Sequence, residues 1–169
     1  MQKIIFLYGP SCAGKSTIAA EILKQKNIFH VHRDRLKWMI SDYNRDNKDQ
    51  RKLINEIMSK MIDIAINHGL SILLETPSLK LFEESRKKHE NTCQIIPINV
   101  TADKEILKVR FLERIESAKK SGNKVSNKSL SVFLELYDKL NFQIEDATTI
   151  NTSNISIAES LRLAKEIVG

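Results

Sequence analysis

Gly9-Pro10-Ser11-Cys12-Ala13-Gly14-Lys15-Ser16-Thr17 reads G-x-x-x-x-G-K-[ST], the spacing of a phosphate-binding loop. An apolar, strand-like run, Ile4 to Tyr8, leads into it. A helix-like run, Ser16 to Lys26, leads out of it, with Ile18, Ala19, Ile22 and Leu23 on one stripe. Strand, loop and helix in that order are the context in which the motif has a mechanism. Gly9 and Gly14 let phosphate approach the backbone. The amides of Ser11, Cys12 and Ala13 line an anion nest at a helix N-terminus. Lys15 is placed to reach the outer phosphates of a nucleoside triphosphate, the Ser16 hydroxyl to ligate Mg²⁺, and Thr17 to lie near the innermost phosphate.

Outward from this motif, strand and helix patterns alternate, which predicts an α/β chain with a mostly parallel sheet. A second strand is expected at 28–32. A helix follows from about Asp34, with Leu36, Met39 and Ile40 inward and Trp38 read as packing. A polar loop is expected at 42–49. The pattern then predicts a long helix over 50–68 with Leu53, Ile57, Met61, Ile64 and Ala65 as its apolar face, stopped by Gly69. A third strand at 70–74 ends at Glu75-Thr76-Pro77. A charged surface helix (81–90) and a fourth strand (93–100) come next. Thr101 reads as the cap of a helix running through Phe111 and Ile115. The basic segment 117–127 reads as the tip of a lid spanning about 110–128. A helix at 129–141, a fifth strand at 147–151 and a capping box at Ser156-Ile157-Ala158-Glu159 complete the chain.

Ligands of open parallel sheets bind beyond the carboxyl ends of the strands. That rule gathers the phosphate loop, Arg33-Asp34-Arg35, Glu75-Thr76 and Asn151-Thr152-Ser153 at one edge. Phosphoryl transfer to a hydroxyl needs a group to accept the proton, and Asp34 is the candidate base. Lys37, one helical turn on, is the candidate acceptor contact, with Thr76 beside it. Glu75, ending an apolar strand, is expected to hold the Mg²⁺ shell or orient the acceptor. Arg110 and Arg114, four apart on one helix face, are candidates for stabilising charge on the transferring phosphate. The four histidines show no metal-ligand spacing.

The chain's 169 residues, 41% hydrophobic and 28% charged, fit one domain with its own core. Its net charge of +6 suits polyanionic ligands. No apolar run is long enough for a membrane span, and the chain starts directly in a strand, so neither an anchor nor a signal peptide is expected. Two cysteines make no disulfide framework, and a cytoplasmic location is expected. A guanine-nucleotide switch is disfavoured: Asn47-Lys48-Asp49-Gln50 ends in Gln where an Asp is needed.

Together, the loop Gly9 to Thr17, Arg33-Asp34 and Glu75-Thr76 resemble the polynucleotide-kinase-like group of P-loop kinases. The likeness continues through Ile98-Asn99-Val100, Lys108-Val109-Arg110 and Val125 to Leu140. Zeta-toxin-like and chloramphenicol-phosphotransferase-like kinases share this skeleton. The resemblance implies a three-layer P-loop NTPase fold with five strands and a small helical lid. It also implies ATP and Mg²⁺ as cofactors, Asp34 as base, a lid arginine on the transferring phosphate, and an adenine pocket around Asn151 to Ser153. Two positions depart from the group: Lys37 stands where it has arginine, and Glu75 is one methylene longer than its usual acid. The acceptor is left open among a polynucleotide 5′-hydroxyl, a nucleoside or nucleotide, and a small metabolite. The rival reading is an ATP-binding or ATP-hydrolysing module with no small-molecule acceptor.

Overall fold

The computed structural model describes residues 1–120, 129–140 and 142–169. Of the expected lid, residues 121–128, most of its tip, lie outside the described residues. The strands are β1 (Lys3–Tyr8), β2 (Ile28–His32), β3 (Ser71–Glu75), β4 (Gln94–Thr101) and β5 (Thr148–Asn151). They form one sheet in the order β2-β3-β1-β4-β5, every pairing parallel. Between them run α1 (Lys15–Ile22), α2 (Arg33–Trp38), α3 (Lys48–Asn67), α4 (Leu79–His89), α5 (Lys104–Lys120), α6 (Leu130–Leu140) and α7 (Ile157–Val168).

β1 explains the layering. All of Ile4 to Tyr8 is buried, so side chains alternate between two apolar interiors rather than between core and water. Ile5 and Leu7 pack with Ile18, Ile22, Leu107, Phe133 and Ala164 on one face of the sheet. Ile4, Phe6 and Tyr8 pack with Ile54, Met58, Ile62, Leu81 and Phe82 on the other. Helix, sheet and helix make three layers, as the family resemblance implies.

Several local expectations are corrected. The inward stripe of α3 is Ile54, Met58, Ile62 and Ala65, whereas Leu53 and Ile64 are exposed. Two adjacent stripes of that helix are apolar, and periodicity alone does not choose between them. The helix begins at Lys48 because the Asn47 side chain accepts from the amides of Asp49 and Gln50. Thr101 is the last residue of β4 rather than a cap. α5 runs on to Lys120, through the start of the expected loop. α4 buries Leu81, Phe82, Ser85 and His89, so one of its faces is core. Met39 and Trp38 point outward: they are 80% and 82% exposed. The cap at Ser156 is present, its hydroxyl accepting from the Glu159 amide at 3.1 Å.

Candidate active site

Because every strand is parallel, all five carboxyl ends share one edge. Register then sets which residues stand abreast there. Leu7 and His32 both align with Glu75, and Thr101 aligns with Asn151.

The loop from Gly9 to Gly14 turns through left-handed backbone at Gly9, Cys12 and Gly14, with φ of 125°, 65° and 100°. At Gly9 the requirement is also steric. A Cβ there would lie 2.0 Å from the Val100 carbonyl oxygen of β4. At Gly14 space is available, and the positive φ alone asks for glycine. Cys12 contributes backbone shape; its thiol is free, as is that of Cys93. Ser11 lies beside it, with its Oγ 3.9 Å from the Cys12 Sγ. Ala13 is fully buried, while Ser16 and Thr17 are exposed at the first turn of α1.

Lys15 folds back over the loop, its Nζ donating to the carbonyls of Gly9 at 2.9 Å and Pro10 at 2.6 Å. Burial pushes its pKa down to about 8. The charges of Glu75, Asp34 and Cys12 oppose that fall, and the charge of Arg114 adds to it. Strand ends and α5 thus bring Glu75, Asp34 and Arg114 within electrostatic reach of one ammonium.

Glu75 is 4% exposed and heavily partnered. Its Oε1 lies 2.8 Å from His30 Nε2, and its Oε2 lies 3.6 Å from His32 Nε2 and 3.3 Å from the Ser16 hydroxyl, which donates to it. His32 Nδ1 accepts from the Asp34 amide at 3.1 Å, so the His32 proton sits on Nε2, facing Glu75. Burial raises the Glu75 pKa. The His30 hydrogen bond, with the charges of His32, His30 and Lys15, outweighs it, and the carboxyl ends below its ordinary value. His30 and His32 escaped the sequence reading, which tested histidines only for metal-ligand spacing. The available signal was their alternation on β2, which places both on the face that Glu75 shares.

Asp34 opens α2, and its exposed carboxylate accepts from Lys37 Nζ. Lys37 also lies over the Tyr43 ring, 5.9 Å from its centroid. Arg33, just before Asp34, points away and donates to the Asn55 side chain on α3. Thr76 is buried, and its hydroxyl accepts from the Ser78 amide at 3.2 Å. That hydroxyl therefore shapes the turn into α4.

Arg110 and Arg114 differ in their partners. Arg110 donates to the Thr152 hydroxyl and to the Thr152 carbonyl, both at 2.8 Å. The Thr152 hydroxyl in turn donates to the Ala13 carbonyl at 3.0 Å. Arg110 is thereby tied through Thr152 to the phosphate loop, while the exposed Arg114 faces Lys15 electrostatically.

Ser16 and Glu75 offer hydroxyl and carboxylate oxygens to one point beside the phosphate loop, a donor set that fits Mg²⁺. Among the described residues, no group of three or more His, Cys, Asp or Glu side chains forms a self-sufficient metal site. A metal held by these two side chains would need further oxygen ligands from outside the protein.

Residues 5–130, most of the chain, match the family described as "AAA domain". The chain belongs to the AAA-domain family. Solved structures agree on the P-loop kinase fold of this AAA-domain chain. A sugar kinase from Janibacter sp. HTCC2649 is 12% identical, with a TM-score of 0.69 over 99% of this chain and 94% of that one. The APS kinase of Mycobacterium tuberculosis, in complex with AMPPNP and APS, is 14% identical, with a TM-score of 0.67 over 99% and 97%. One chain of an RNA repair complex is 17% identical, with a TM-score of 0.64 over 98% of this chain and 45% of that one. At these identities the likeness establishes the fold. No curated protein matches the sequence. Among the described residues, no helix is long and apolar enough to cross a membrane.

Proposed function

We propose that the protein is a single-domain, ATP-dependent kinase that transfers the γ-phosphoryl group to a hydroxyl acceptor. One observation carries this reading: Glu75, ending β3, bonds the phosphate-loop Ser16, and His32 of the neighbouring strand, abreast of Glu75, accepts from the amide of Asp34, so an exposed carboxylate stands one strand away from the loop. Nucleotide binding alone does not call for that second carboxylate; transfer to an acceptor does.

Asp34 accepts the proton of the acceptor hydroxyl as the new O–P bond forms and the bond to the departing ADP oxygen breaks. Lys37, hydrogen-bonded to Asp34, holds that carboxylate in place and gives it up to the acceptor on binding. Lys15 and Arg114 stabilise the negative charge spread over the transferring group. Arg110 and Thr152 brace the phosphate loop. Ser16 and Glu75 would hold Mg²⁺, which would supply neutralisation of the polyphosphate charge.

Labelled-phosphate transfer from ATP, with Mg²⁺ and a panel of oligonucleotide, nucleoside and sugar acceptors, tests this reading. Transfer should depend on one acceptor. Asp34→Asn should lower kcat by about 10²-fold or more while nucleotide binding persists. Turnover by that variant near the wild-type rate would remove Asp34 from the chemistry. Phosphate release independent of every acceptor would favour an ATP-hydrolysing module instead.

A further inference from the structure

Helix α3 carries two apolar stripes, and the core uses one of them. Ile54, Met58, Ile62 and Ala65 are buried. Leu53, Ile57 and Ile64 form the second stripe, at intervals that keep their side chains on one helix face. Ile57 is half-buried, whereas Leu53 is 46% and Ile64 58% exposed. This stripe has no part in phosphoryl transfer.

Its place in the fold says what adjoins it. α3 packs on β2 and β3, with α4 along one flank, where Lys52, Asn55 and Ser59 look across a groove to Lys80 and Glu84. The regular turn of the helix puts Leu53, Ile57 and Ile64 on the flank away from α4, above the outer side of β2. β2 is an end strand: β3 lies on one side of it and, among the described residues, no strand on the other. Val31 of β2 joins the core beneath α3, and Phe29, two residues earlier on the same face, is 39% exposed. Edge strands are commonly blunted by lysine, proline or a bulge. Ile28-Phe29-His30-Val31-His32 contains neither lysine nor proline. The opposite end strand differs, since β5 exposes only Thr148, Thr149 and Asn151.

We propose that two copies of this chain associate about a two-fold axis through the edge of β2 and the Leu53–Ile57–Ile64 stripe of α3. An axis beside the middle of β2 sets that strand antiparallel to its copy, and the N–H and C=O groups of each edge satisfy the other. The same axis runs the two α3 helices antiparallel on one face of the joined sheet. Leu53 and Ile64 lie on opposite sides of the middle of α3, so each meets the other residue of the second copy. Charge follows the same register. Lys60 lies on the solvent side of the stripe and has no carboxylate at ion-pair distance among the described residues. Antiparallel packing brings it towards Glu56 of the second copy; within its own chain Glu56 is 3.8 Å from Lys52 in an exposed pair. An unrelated partner must supply strand, apolar stripe and charge complement from unrelated residues, whereas a second copy supplies all three at once.

Sedimentation velocity from low to several hundred micromolar protein tests the interface. The wild-type chain should pass from monomer to dimer as concentration rises. Ile64→Glu, at an exposed position, should stay monomeric over the same range and keep the wild-type far-ultraviolet circular dichroism. Lys60→Glu and Glu56→Lys should each weaken association by about tenfold, because each sets like charges against one another at two symmetric places. An equimolar mixture of those two variants should recover the dimer, since every contact between them again joins opposite charges. A wild-type chain that is monomeric throughout, or a dimer indifferent to Ile64→Glu, would overturn the interface. A mixture that recovers nothing would overturn the antiparallel register on which it is built. None of these measurements involves ATP turnover, so the interface and the kinase reading stand or fall separately.

Discussion

His30 Nε2 stands 2.8 Å from Glu75 Oε1, a hydrogen bond from an imidazole on the edge strand to a carboxylate buried at the end of its neighbour. β2 pairs with β3 in parallel register, His32 opposite Glu75, and His30 lies two residues earlier on the same face. The pair fixes the carboxylate that, with Ser16, is proposed to hold Mg²⁺. His30→Ala should raise the Mg²⁺ concentration for half-maximal turnover by about 10-fold, the scale on which outer partners of metal ligands act. His30→Gln, which retains a donor, should recover much of that loss. A Mg²⁺ titration of ATP turnover that was identical in wild type and His30→Ala would remove His30 from this role.

Lys15 gives the protein a pH signature. Its pKa is pushed down to about 8 in the folded state, from an ordinary 10.5. Below pH 8 the lysine is protonated whether the chain is folded or not. Between about 8 and 10.5 the unfolded chain binds more protons than the folded one, so this group makes stability rise with pH across that window. Polyphosphate binding favours the ammonium and has the opposite trend. Nucleotide affinity should therefore fall above pH 8, approaching about tenfold per unit, and binding at pH 8.5–9 should take up protons. Calorimetry in buffers of different ionisation enthalpy measures that uptake directly. Equal heats in all buffers would mean an ordinary lysine.

The two arginines of α5 should separate kinetically. Arg114 acts on the Lys15 charge, and among the described residues no hydrogen bond ties it to the phosphate loop, so Arg114→Ala should lower kcat by about 10²-fold with little change in stability. Arg110 braces Thr152 and, through it, the Ala13 carbonyl. Arg110→Ala should weaken nucleotide binding and cost about 1–3 kcal/mol of stability through lost hydrogen bonds. Parallel measurement of kcat, nucleotide Kd and thermal unfolding distinguishes them. Identical profiles for both variants would contradict the division.

Gly9 is a packing constraint before it is a functional one. Its φ is 125°, and a Cβ would sit 2.0 Å from the Val100 carbonyl oxygen, a backbone atom that has no rotamer to change. Gly9→Ala should destabilise the fold by about 2 kcal/mol or more. For a chain of this length that corresponds to a Tm lower by roughly 4–8 °C. Gly69→Ala is the control, since nothing lies within 4 Å of its Cβ position and only the positive φ opposes it. Equal losses at both positions would show that backbone conformation, not the contact with β4, is what glycine provides at position 9.

The sequence by itself determined the α/β class, the loop that binds phosphate and the strand ends where acids and bases gather. The reason is that these are written in short-range chemistry. G-x-x-x-x-G-K-[ST] needs glycines at fixed spacing, β1 is apolar throughout because both of its faces are covered, and Asp34 and Glu75 each follow their strand directly. Tertiary structure decided what depends on partners distant in the chain. Which apolar stripe of α3 faces inward was set by the β-sheet it packs on, and Trp38 was left in water because α2 has only Leu36 to bury. Arg110 is tied to the phosphate loop only through Thr152, 42 residues away from it in the chain. The histidines around Glu75 became partners only when parallel register brought β2 beside β3, a contact spanning 45 residues. Local pattern carries no record of such pairings, because sheet register and helix packing are fixed by the burial of the whole core.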